Sequence, residues 1–60
     1  MMYRITLTRR NVRVELLMRA PSRKEVVRII TTAAQNFDAQ DGHQTCILGI
    51  EEVSELEFQP

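Results

Sequence analysis

Two runs of alternating residues, separated by three polar ones, limit what this chain can fold into more than any other feature. Tyr3, Ile5 and Leu7 alternate with Arg4, Thr6 and Thr8. After Arg9-Arg10-Asn11, Val12, Val14, Leu16 and Met18 alternate with Arg13, Glu15, Leu17 and Arg19. A period of two is that of a strand with one face buried. The polar break is only long enough for a hairpin, and Asn11 tolerates the left-handed backbone such turns often need. Pairing Leu7 with Val12 sets Ile5 opposite Val14 and Tyr3 opposite Leu16 on one face. The same register sets Arg4 opposite Glu15 on the other face, a favourable cross-strand pair.

The period then changes. Ser22 and Glu25 have the spacing of a capping box, in which each side chain satisfies an amide of the first helical turn. Val26, Ile29, Ile30, Ala33, Ala34 and Phe37 follow at steps of three and four, the stripe of a one-sided helix. Gly42 supplies the stop. Cys46, Leu48 and Ile50 restart the alternation as a third strand, and Glu52 falls out of phase, which predicts a bulge or turn near Glu52-Val53-Ser54. Leu56 and Phe58, alternating with Glu55, Glu57 and Gln59, predict a short fourth strand.

These elements make one α+β domain over residues 1–60, of the form β-β-α-β with a further strand. A right-handed crossover places the third strand beside the first, for a sheet order 2-1-3-4 with the helix on one face. The expected core is Tyr3, Ile5, Leu7, Val14, Leu16, Val26, Ile30, Ala33, Phe37, Leu48 and Ile50. The other face is left open, and the phase puts Leu17, Ile47 and Val53 on it as a candidate apolar interface.

With 60 residues, 43% of them apolar, the core is small and there is little room for a substrate cavity. Catalytic grammar is missing. His43 is the sole histidine and Cys46 the sole cysteine, and the pattern places no Ser-His-Asp or Cys-His set. His43 and Cys46, with Asp38 and Asp41 upstream, fall short of a four-ligand zinc set, and the phase points Cys46 inward. No cofactor and no metal is expected. No apolar run approaches the roughly 20 residues of a membrane span, and no signal segment opens the chain, so the expected location is cytoplasmic.

The zero net charge hides a division. Residues 1–28 hold all eight basic groups against Glu15 and Glu25, a balance of +6. Residues 29–60 hold six acidic groups and no Lys or Arg, a balance of −6. Either the halves pair inside the fold or they form separate contact surfaces. The candidate basic contacts, to a partner protein or a nucleic acid, are Arg4, Arg9, Arg10 and Arg13. The candidate acidic contacts are Glu51, Glu52, Glu55 and Glu57.

Ala20-Pro21-Ser22 opening the helix and Gly49-Ile50-Glu51-Glu52-Val53 closing the sheet give the chain a build that resembles small phage and prophage proteins. Among these are phage anti-CRISPR inhibitors of type I effector complexes, which set one helix on a small sheet and carry no catalytic motif. The resemblance implies a protein that acts by occupying the surface of a host protein or nucleoprotein complex. It carries over no functional residue. Beside it stand two readings from the residues themselves: a DNA- or RNA-binding regulator using the basic hairpin, and a homodimeric subunit joined through the open face.

Overall fold

The computed structural model describes residues 1–54. Both alternating runs are strands, β1 (Met2–Arg9) and β2 (Val12–Arg19), followed by helix α1 (Arg23–Asp41) and strand β3 (Thr45–Val53). β1 is the central strand, antiparallel to both neighbours, in a three-stranded sheet of order β2-β1-β3. This differs from the four-stranded order 2-1-3-4, because the expected fourth strand falls on residues 55–59, outside the described residues.

The hairpin is tighter than its polar residues imply. Only Arg10 and Asn11 form the turn, at φ 56° and 63°, and a two-residue type I′ turn requires positive φ at both positions. The register is therefore shifted by two from the expected one: Leu7 faces Val14, Ile5 faces Leu16 and Tyr3 faces Met18. A shift of two preserves the faces, so the inward set stays inward. The cross-strand partners change, however. Arg4 faces Leu17, and Glu15 faces Thr6.

The helix begins and ends where its caps dictate. The Ser22 side chain accepts a hydrogen bond from the Glu25 amide, and Gly42 at φ 73° closes the C-terminus with its amide on the Asp38 carbonyl. The reciprocal half of the expected capping box is replaced by an ion pair: the Glu25 carboxylate takes Arg28 at 2.8 Å. That hydrogen bond and charge hold the Glu25 carboxyl below its ordinary range.

The largest departure lies in β3. Ile50 faces Ile5 and Gly49 faces Thr6, but the next partner of Leu7 is Ile47. Leu48 is thus an extra residue, a β-bulge inside the strand rather than at Glu52-Val53-Ser54. The bulge inverts the phase of everything before it. Leu48, expected in the core, is 58% exposed, and Cys46 is exposed as well. Ile47 moves from the open face to the face of Leu7.

Tyr3, Ile5, Ala20, Val26 and Ile30 are the buried core, with Leu7, Met18 and Ile50 packed partly against it. Leu16, Phe37 and Leu48 lie outside the core expected for them, and Val14 and Ala33 are only half-buried.

Candidate interaction surface

Part of the division of charge in the sequence is spent inside the fold. Arg9, at the end of β1, reaches across the C-terminal turn of α1. Its guanidinium donates to Asp38 Oδ1 at 2.8 Å, to Thr45 Oγ1 at 3.1 Å and to the Phe37 carbonyl at 3.1 Å, and it also pairs with Asp41. It stacks over the Phe37 ring at 5.8 Å, and its side chain is only 18% exposed. The helix has no basic residue in its own last turn, so Arg9 supplies from β1 the positive charge that a helix C-terminus favours.

Asp38 completes the link to β3. Its carboxylate accepts from the Thr45 amide at 3.0 Å and the Thr45 hydroxyl at 2.7 Å. Those two hydrogen bonds, followed by the charge of Arg9, hold its carboxyl below the usual range. Asp41 is lowered chiefly by the hydrogen bond from Arg9 and then by the His43 amide, which donates to Oδ1 at 3.0 Å. The cluster ties β1, α1 and β3 together. Asp38 and Asp41, two residues of the conceivable metal set, are thus engaged by Arg9. No group of three metal-capable side chains converges among the described residues.

Arg4 pairs with Glu51 across β1 and β3 at 3.0 Å, so a candidate basic contact and a candidate acidic one neutralise each other on the open face. Arg10 is exposed at the hairpin turn. Arg13 is exposed on β2, at 4.0 Å from Glu15 of the same strand. Glu52 is exposed opposite Tyr3, while Glu55 and Glu57 lie outside the described residues. The basic contacts are therefore not gathered into one patch: Arg9 points into the fold, Arg4 is paired, and Arg10 and Arg13 remain outward.

The apolar trio is also not brought together. Leu17 sits opposite Arg4 and Val53 opposite Met2 on the open face, while Ile47 shares the face of Leu7. Leu48 takes a place on the open face, where it lines a shallow polar hollow with Arg4, Thr6 and Arg13.

A second, apolar concave surface lies on the helix side. Between α1 and β2 runs an open apolar groove of about 260 Å³, lined by Leu7, Val14, Leu16, Ile30, Ala33 and Phe37, with Arg9 and Thr45 at one end. Leu16 is 40% exposed and Phe37 is 59% exposed. The helix packs on β1 and β3 and covers the inward face of edge strand β2 only in part: Met18 packs against the core, while Leu16 stays exposed. Sequence reasoning assigns Val14, Leu16, Ala33 and Phe37 to the core, because periodicity reports a face and not what covers it. The one available signal is geometric: three strands spaced about 4.8 Å apart span about 10 Å between the outer axes, the width of one helix, so a helix seated nearer one edge covers the other edge only in part.

No protein-family model matches this chain, and neither does a curated protein or a solved structure. No helix among the described residues is long and apolar enough to cross a membrane.

Proposed function

We propose that this chain is a small, non-catalytic binding protein that inhibits or regulates a host protein or nucleoprotein complex by occupying part of its surface. The observation that carries the reading is the groove between α1 and β2, where Leu16 and Phe37 stand exposed over a floor of Val14, Ala33 and Ile30. A contiguous apolar surface on so small a domain costs solubility and stability unless something covers it. A nucleic-acid reading has less support, since Arg9 and Arg4 are held by carboxylates of the same chain and only Arg10 and Arg13 of the basic set face outward.

The test is affinity capture from a bacterial lysate, run with and without nuclease, comparing the native chain with Phe37→Glu. Phe37 is exposed, so the substitution leaves the fold intact, which circular dichroism checks. A stoichiometric protein partner that survives nuclease and is lost with Phe37→Glu supports the reading. Capture that vanishes with nuclease, or that ignores Phe37→Glu, overturns it.

A further inference from the structure

We infer that the edge strand β2 joins a second copy of this chain across a two-fold axis through Val14, so that two grooves merge into one trough. The inference rests on the reading of the groove as a contact surface, and it names what lies at the open side of that groove.

The argument begins with which backbone groups are free. Antiparallel partners alternate between hydrogen-bonded and non-bonded pairs. The Ala20 amide donates to the Met1 carbonyl at 3.0 Å. Counting along the register from that pair, Tyr3–Met18, Ile5–Leu16, Leu7–Val14 and Arg9–Val12 are the bonded pairs. The backbone groups of Arg13, Glu15 and Leu17 therefore point away from β1, at the edge of the described sheet. An edge of this kind is a ready template for another strand.

Side chains then select both the partner and the register. With the axis at Val14, Arg13 of each copy lies opposite Glu15 of the other, as a bonded pair on the open face. Val12 lies opposite Leu16 on the helix face, also twice, and Val14 meets itself. Both charges are satisfied, and Val12 and Leu16, each exposed in the single chain, cover one another. Neighbouring registers fail. An axis at Arg13 sets Arg13 against Arg13, one at Glu15 sets Glu15 against Glu15, and one at Leu16 sets Arg13 against Arg19. An axis at Leu17 pairs Glu15 with Arg19 but brings Pro21, which has no amide hydrogen, opposite Arg13.

A second copy is thus the occupant that this edge complements. A two-fold axis perpendicular to the sheet keeps both helices on the same side. Six described strands form one sheet, and the groove of each copy opens onto that of the other between the two helices. The gain is largest where the core is smallest, and among the described residues only Tyr3, Ile5, Ala20, Val26 and Ile30 are buried hydrophobics.

The experiment is sedimentation equilibrium on the full chain, whose mass is 7.0 kDa, over a range of concentrations. The native chain is expected at twice that mass. Arg13→Glu and Glu15→Arg each place like charges opposite one another at both symmetric pairs, and each alone should weaken self-association by about tenfold or more. An equimolar mixture of the two variants restores opposite charges at both pairs and should dimerise. Glu15→Pro removes an edge amide while sparing the ladder to β1, so it should give a folded monomer. A native chain that stays monomeric, or variants that dimerise alone as well as mixed, overturns the inference. A monomer whose nuclease-resistant capture still depends on Phe37 leaves the functional reading standing. Capture indifferent to Phe37→Glu removes that reading instead, whatever the mass.

Discussion

The bulge at Leu48 separates two cores, and a pair of substitutions distinguishes them. If β3 kept the phase of its sequence, Leu48 would be a core residue. Leu48→Thr would then leave a cavity and bury a hydroxyl, at a cost of about 3 kcal/mol or more. In the structure Leu48 is an unpaired, 58% exposed residue on the open face. Threonine brings the β-branched shape that strands favour, so the expected cost is within about 0.5 kcal/mol. Ile5 provides the internal scale. It is fully buried and faces Leu16 and Ile50 from the central strand. Ile5→Val removes one methylene there and should cost about 0.5–1.5 kcal/mol. For a domain of this size, each kcal/mol lowers Tm by roughly 4–8 °C. Thermal unfolding followed by circular dichroism, at a fixed chain concentration, should therefore show Ile5→Val melting several degrees below the native chain and Leu48→Thr beside it. A Leu48→Thr chain less stable than Ile5→Val would refute the bulge and return Cys46 and Leu48 to the interior.

Two further outcomes follow from the local geometry. Asp38 and Asp41 have carboxyls held below their ordinary range in the folded chain, so their contribution is complete above about pH 4, the unfolded carboxylate value, and is lost as pH falls through the lower folded values. Tm should fall on acidification below pH 4, and Arg9→Met should flatten the part of that limb due to Asp41; an acid limb unchanged by Arg9→Met would show that the Arg9 contacts are not its source. Arg10 and Asn11 both occupy positive φ, so Arg10→Asn combined with Asn11→Gly should raise stability in urea by about 1 kcal/mol, and a loss of stability would exclude the type I′ turn.

The elements themselves are legible because their signals are local. The alternation about Arg10-Asn11, the Ser22 cap, the stripe from Val26 to Phe37 and the Gly42 stop each involve residues a few positions apart, where backbone sterics and capping geometry act without help from the rest of the chain. The face of each hairpin residue was readable for the same reason, since a register shift of two leaves faces unchanged. The shift itself was not readable. Arg9 looks like part of a polar loop until its partners Asp38, Asp41 and Thr45, about 30 residues away, draw it into the fold and close the turn to two residues.

The candidate surface was the least legible part. Composition shows opposite charge blocks, and only the tertiary structure decides that Arg9 meets Asp38 and Arg4 meets Glu51, leaving an apolar groove as the more prominent feature. Periodicity marks Leu16 and Phe37 as inward, yet the one helix covers β2 only in part, and so both remain exposed. The order of residues alone is enough to mark the three described strands and the helix, and to say which side chains of the hairpin share a face. The tertiary structure decided the bulge at Leu48, the pairing of the charges and the uncovered edge, because each depends on how far apart the finished elements come to rest.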